Sequence, residues 1–321
     1  MASPEPPVGD VAASTRQSGW RREAIALLVV AALVSVAALV PMPRVAFALE
    51  LEAGAAQLTL DEAGQFGGQP LDHELRAEGF SRLESADPSL LQRARDDGAS
   101  PLAMRAERLT LNSVGYGAGA SVGFEAGSPA VRVAIDGAPH SALFEFSGAT
   151  VSSLGGAPRI TTQVPVVEWL RLGADAKPTE LWLTRPAERN WRWRGLRPAA
   201  LRFIERTQEG VGPVRLQSAL RRATLRLPAT ERELRLAEGG VLELDGLRVD
   251  QCELGVGDAI TLKISGSARR IVVATGGFTQ SLSPSLLEYA ARNHSLGLLW
   301  SAAGLLWGIS TWLRKQFANV G

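Results

Sequence analysis

The sequence predicts an exported, mainly antiparallel β body, a β-sandwich, jellyroll-like or open β-groove domain, flanked by N- and C-terminal transmembrane helices. Three observations predict it. Apolar and polar residues alternate with period two through the middle of the chain, glycine and proline interrupt that alternation at short intervals, and one charge-free apolar run stands near each end. The bulk numbers conceal this division. The 321 residues carry a formal net charge of +1 and a mean hydropathy of +0.04, which exclude a disordered chain and a strongly basic nucleic-acid binder. Cys252 is the single cysteine, so no internal disulfide exists, and in an alternating segment a lone thiol reads as a small buried hydrophobe. Arginine greatly outnumbers lysine (Lys177, Lys263 and Lys315), and alanine and glycine are abundant, as in a GC-rich bacterial genome.

Residues 1–22 are rich in Pro, Ser, Ala and Gly without hydrophobic periodicity, and are expected to form a disordered cytoplasmic tail. The first transmembrane helix is placed at 23–43. Its apolar run, Ala24 to Val40, spans about 26 Å as a helix, close to the hydrocarbon thickness of a bilayer, and ends at Pro41 and Pro43. Arg16, Arg21 and Arg22 before the run hold the N-terminus in the cytoplasm. A cleaved signal peptide is the rival reading, since Ala46-Phe47-Ala48 has the small-x-small form of a cleavage site. The long leading segment and Arg44 beside the cut favour a retained anchor. No cysteine stands directly after the run, which excludes a bacterial lipoprotein.

Toward the other end, Ser283-Pro284 opens a short interfacial helix over 283–294, and a second span is placed at 295–313. Its charge-free stretch from Leu296 to Leu313 is apolar on every side, and Arg314 and Lys315 begin a cytoplasmic tail, 314–321. Gly297, Ser301, Gly304 and Gly308 fall near one helical face and include a G-x-x-x-G, which lets another helix approach closely: the first span, a second copy, or another membrane protein. The topology expected is an inner-membrane protein of two spans, both termini cytoplasmic and the bulk of the chain periplasmic.

The body divides by charge into an acidic β-rich lobe over 44–160 and an Arg-rich lobe over 161–282. Residues 45–160 carry a net charge of −7 and residues 161–290 one of +4. Alternation is clearest at 48–52, 107–112, 131–136, 223–227 and 260–264. Over 232–275 about five strands follow at even spacing, which predicts a meander. Its inward face would hold Leu234, Leu236, Leu242, Leu244, Leu247, Val249, Ile260, Leu262 and Ile264. Two short helices are expected outside the membrane, from Asp87-Pro88 to Gly98 and from Pro198 to Gly210, each on its proline and terminal glycine.

The basic surplus is concentrated between Arg185 and Arg226. Arg185, Arg189, Trp191, Arg192, Trp193, Arg194 and Arg197 are the candidate site for an anionic partner, since Trp and Arg are common interface anchors. In Trp191-Arg192-Trp193-Arg194 a strand sends both indoles to one side and both guanidiniums to the other. The competing reading therefore buries the indoles and pairs the arginines with glutamates in solvent. Enzyme signatures fail. Gly119-Ala120-Ser121-Val122-Gly123 matches a nucleophile elbow, but an alternating strand follows it where a helix is required. Asp72-His73-Glu74 alternates sides and reads as a polar loop. With His73, His140 and His294 the only histidines, no metal or cofactor site is expected.

The function these features predict is a non-catalytic, membrane-anchored component of a bacterial cell-envelope assembly. Its β domain would bind a protein or an anionic lipid-like ligand. Its partners would be other membrane proteins, a further copy of itself and membrane lipids, with no nucleic acid. A lipid or lipoglycan carrier is the first alternative and would need an apolar channel between the sheets. An envelope hydrolase, using Ser121 with His140 or convergent carboxylates, is the second.

Overall fold

The first strand, β1 (Val45–Ala53), shows how the body is built: Val45, Phe47, Leu49, Leu51 and Ala53 are buried, while Ala46 and Glu50 face solvent. In the computed structural model the described residues are 44–85, 101–128, 130–153, 160–161, 168–207, 215–275 and 278–282, with Ser35, Gly297, Ser301, Gly304 and Gly308. The chain divides into two units, Arg44–Ser283 and the two terminal segments Met1–Pro43 with Pro284–Gly321.

Within the first unit the strands after β1 are β2 (Ala55–Leu60), β3 (Gly64–Leu71), β4 (Glu74–Glu78), β5 (Arg82–Ser85), β6 (Leu102–Tyr116), β7 (Ala120–Glu125), β8 (Ala130–Asp136), β9 (His140–Ser153), β10 (Ile160–Thr161), β11 (Glu168–Ala174) and β12 (Thr179–Thr184). They continue with β13 (Trp191–Arg194), β14 (Pro198–Arg202), β15 (Ile204–Thr207), β16 (Arg215–Ser218), β17 (Leu220–Leu227), β18 (Arg232–Leu236), β19 (Val241–Asp245), β20 (Arg248–Val256), β21 (Ile260–Ala268), β22 (Arg270–Thr275) and β23 (Phe278–Ser281). Among the described residues these form a six-stranded sheet in the order β13-β20-β21-β1-β17-β18, a long sheet running from β23 to β5, and the hairpin β15–β16. Neighbouring strands run antiparallel, and the body is mainly β without a closed barrel.

Strands from both sides of the 160/161 charge boundary share each sheet: β1 lies between β17 and β21, and β2 between β7 and β14. The two sheets meet through aromatic rings. Phe66 of β3 and Phe124 of β7 stand 5.1 and 5.4 Å from Trp193 of β13, and Trp191 lies 6.0 Å from Trp193. Tyr116 of β6 joins at 6.2 Å from Phe66. Packing of this kind, with staggered tilted rings, contributes beyond simple burial.

The stretch 232–275 holds five strands as expected, but they are not a meander. Only β20 and β21 pair as consecutive neighbours; β18 joins β17, and β19 lies between β14 and β22 in the other sheet. The turns at Gly239 (φ +78°) and Gly246 (φ +61°) carry the chain between sheets. Alternation reports which face is apolar and says nothing about which strand lies alongside. Of the nine residues assigned to the inward face, Leu236, Leu242, Leu244, Leu247, Ile260, Leu262 and Ile264 are buried, and Leu234 and Val249 are half-buried.

The helix expected over Pro198–Gly210 is absent from its described part, where β14 and β15 stand instead. Pairing of β14 with both β2 and β19 satisfies its backbone on each edge, which outweighs the local helical punctuation. Pro198, lacking an N–H, sits at the first position of its strand. The helix expected over 87–98, both predicted spans apart from their few described positions, the interfacial helix and both tails lie outside the described residues. Among the described residues no helix is long and apolar enough to cross a membrane.

Candidate functional site

The candidate Arg–Trp segment folds as an edge strand. Trp191 and Trp193 are buried, and Arg192 and Arg194 are exposed, as the alternation requires. The indoles do more than fill space. One edge of β3 pairs with β6; toward its other edge Trp191 Nε1 donates to the Pro70 carbonyl and Trp193 Nε1 to the Gly67 carbonyl, each at 3.1 Å. Gln69 Nε2 reciprocates by donating to the Arg192 carbonyl at 3.2 Å. These bonds satisfy carbonyls that a bare strand edge would leave open, and they clamp one sheet to the other.

Arg185 is committed to its own loop. Its Nη1 donates to the Arg189 carbonyl at 2.9 Å and to Asn190 Oδ1 at 3.2 Å, and its Nη2 meets Asp258 Oδ1 at 2.8 Å. Its side chain is only 9% exposed, so it shapes the turn into β13 and presents no charge for a ligand. Arg189, Arg192, Arg194 and Arg197 are exposed. Glu253 lies 3.9 Å from Arg192 and 3.4 Å from Arg194, and Glu62 lies 3.5 Å from Arg197. Three of the seven candidate residues, Arg185, Trp191 and Trp193, are therefore structural, and three of the other four lie within ion-pair distance of a glutamate.

Strand register then assembles a surface that no single segment announces. Across the outer face of the six-stranded sheet one row runs Arg194, Glu253, Lys263, Glu50, Thr224, Arg235, each residue opposite the next. Lys263 and Glu50 pair at 3.4 Å. In neighbouring rows Glu52 meets Arg222 at 2.7 Å, and Glu233 lies between Arg226 at 3.1 Å and Arg235 at 3.0 Å. The hydrogen bonds from Arg235, with the charge and hydrogen bond of Arg226, hold the Glu233 carboxyl below its usual range. Each such exposed pair contributes little stability, so their collective effect is a patterned face. An open groove of about 650 Å³ lies along it, lined by Arg194, Arg197 and Lys263 on one sign and Glu50, Asp250 and Glu253 on the other. Glu50, Lys263, Asp250 and Glu253 escaped the sequence reading. The polar phase of their strands was visible, but their convergence depends on register between segments two hundred residues apart.

Cys252 also borders this groove, and its thiol is buried. Burial pushes it up from an ordinary 9.0 to about 12. At pH 8 native Cys252 is thus expected to react with a disulfide reagent about 10³-fold more slowly than an open thiol of pKa ~8.5. Because the folded state keeps its proton to a higher pH than the unfolded state, the thiol's contribution is intact below pH 9. It is lost as pH rises from about 9 to about 12, with a slope of at most ~1.4 kcal/mol per pH unit. Labelling rates and denaturant midpoints across that window, compared with Cys252→Ala, check the sign.

The other motifs do not converge. Ser121 lies within β7 opposite Asp136, and its Oγ accepts a hydrogen bond from Gln57 Nε2 at 2.9 Å. His140 is buried at the start of β9 opposite Tyr116, with Nδ1 donating to the Ala138 carbonyl at 2.8 Å. Strand β8 follows β7 where an elbow needs a helix. Asp72 and His73 form the kink between β3 and β4, where His73 takes φ +57° and meets the Ala106 carbonyl at 3.0 Å. Among the described residues no three His, Cys, Asp or Glu side chains are grouped to hold a metal. Gly297, Ser301, Gly304 and Gly308 are exposed helical positions, and the Ser301 hydroxyl donates to the Gly297 carbonyl at 2.7 Å. No protein-family model, curated protein or solved structure matches this chain.

Proposed function

We propose that this chain is a non-catalytic, membrane-anchored component of a bacterial cell-envelope assembly, whose extracytoplasmic β body binds a protein partner on the outer face of its six-stranded sheet. In this reading the segments at 23–43 and 295–313 span the inner membrane, both termini are cytoplasmic, and the small-residue face at Gly297, Ser301, Gly304 and Gly308 packs against another helix. The body is a jellyroll-like sandwich held outside the membrane. The observation that carries the binding assignment is the charge-alternating row from Arg194 to Arg235 beside an open groove. Balanced, ordered charges suit a protein surface of complementary pattern, because they select register and reject wrong partners more than they attract any one ion. A uniformly anionic ligand would meet Glu50, Asp250 and Glu253 as well as the arginines. The aromatic cluster between the sheets occupies space that a lipid-carrying channel would need.

A photo-crosslinking residue at Gln251, on the groove, tests the assignment in native membranes, with the same residue at Glu84 on the other sheet as control. A protein adduct of one size is expected at Gln251 and not at Glu84, falling at least about tenfold when Glu253→Arg breaks the alternation. Equal adducts at both positions, no adduct, or adducts with lipid alone would overturn it.

A further inference from the structure

Both ends of the β body emerge at one pole. β1 starts at Val45 opposite Ala268, the last residue of β21. β22 starts two residues later at Arg270, and the Leu282 N–H donates to the Ile271 carbonyl at 2.9 Å, just where β23 ends. The turn from β19 to β20 closes the same pole: the Arg269 N–H donates to the Asp245 carbonyl at 3.1 Å, and Arg248 lies opposite Ser267. Four arginines therefore gather there. Arg44 Nη1 donates to the Gly246 carbonyl at 3.0 Å, and Arg248, Arg269 and Arg270 are exposed. The Arg269 side chain lies over Gly246, where a Cβ would come within 2.9 Å of it.

Burial, then the charges of Arg248 and Arg269, hold the Arg44 guanidinium below its usual range, so these like charges face one another. Asp245 and Asp250 are the acidic residues on these turns. Neither is within ion-pair distance of the four arginines, and among the described residues Arg248, Arg269 and Arg270 have no ion pair. Elsewhere on the body most exposed arginines stand within ion-pair distance of an acidic residue, as at Arg194, Arg222 and Arg226, and the unmatched Arg108, Arg189 and Arg202 lie in three different segments. Four guanidiniums left largely unmatched at one pole are self-repelling unless a negative surface meets them.

We propose that this pole, Arg44, Arg248, Arg269 and Arg270, rests on an anionic lipid headgroup layer. The charge-free run Ala24–Val40 ends four residues before Arg44, a reach of about 14 Å of extended chain, and the second apolar run begins fourteen residues after Leu282. The chain thus enters and leaves the body at this pole, in the stretches of sequence that lead to the two apolar runs. The assignment rests on the membrane-anchoring reading above and adds an orientation: the strand ends and turns at this pole face the bilayer and the groove face points sideways into the envelope space. Basic side chains near an anionic surface each raise association about fivefold, and salt screens the effect.

The test places the full chain in vesicles of phosphatidylcholine alone or mixed with phosphatidylglycerol. A fluorophore goes on Ser267→Cys, adjacent to Arg248; buried Cys252 stays unlabelled. Quenching by a headgroup spin-labelled lipid should be several-fold stronger in the anionic vesicles and should fall with salt. It should be lost in Arg248→Gln/Arg269→Gln/Arg270→Gln but kept in Arg189→Gln/Arg192→Gln/Arg197→Gln, which removes equal charge elsewhere. Quenching equal in both vesicle types, or absent from both while the chain stays with the vesicles, overturns the proposal. Release of the chain from both vesicle types by alkaline carbonate instead overturns the anchoring reading on which it rests.

Discussion

Trp191→Ala is expected to destabilise the β body by about 3–5 kcal/mol, the largest effect of any single side chain in the candidate segment. Trp191 is fully buried, and its loss opens a cavity beside Trp193 while leaving the Pro70 carbonyl at the β3 edge without its donor. Trp191→Phe separates the two contributions. It keeps most of the apolar fill and removes only the indole N–H, so a loss of about 1–3 kcal/mol is expected. Arg192→Ala, one residue away on the solvent side, should stay within about 0.5 kcal/mol. Protected Cys252 provides the measurement: labelling of the transiently open chain should speed by about 10²-fold or more in Trp191→Ala and hardly change in Arg192→Ala. A Trp191→Ala chain as protected as the parent would mean that β13 does not clamp the two sheets.

Gly79→Ala should cost about 3 kcal/mol or more, against about 1–2 kcal/mol for Gly239→Ala. The two glycines have nearly the same left-handed backbone, φ +80° and +78°, so the intrinsic penalty of an added Cβ is common to both. Their surroundings differ. At Gly79 the Cβ would stand 2.0 Å from the Pro178 carbonyl oxygen, which is backbone and cannot swing aside; at Gly239 it meets nothing within 4 Å. Gly79 follows β4, where the chain passes tightly against the start of β12, so relief would require those strands to separate. Denaturant unfolding of both variants reads the difference directly, and equal losses would show that close approach at Pro178 does not govern this turn.

How legible the molecule was in its sequence differs by feature. The β class was read from alternation, as in Leu49-Glu50-Leu51 and Thr261-Leu262-Lys263, because a strand exposes every second side chain whatever its neighbours are. The division of Trp191-Arg192-Trp193-Arg194 into a buried and an exposed side follows from the same rule. The sequence presents Arg185 as an available charge, but the loop that follows folds back onto its guanidinium through the Arg189 carbonyl and Asn190, and nothing in the local pattern signals this. The helix expected after Pro198 failed for a related reason: local punctuation was outweighed by sheet partners supplied from residues 57–60 and 243–245.

By itself, then, the sequence determined the secondary-structure class, the face each strand buries and the positions of the apolar runs, all of which are properties of short windows. Only the tertiary structure decided which strands are neighbours. That decision creates the alternating row from Arg194 to Arg235, the indole clamp on β3 and the arginine pole at the two ends of the body. The physical reason is that strand pairing joins backbone groups, which are alike in every residue. Register and partner are therefore selected by the simultaneous burial of many distant side chains, and no single window contains that information.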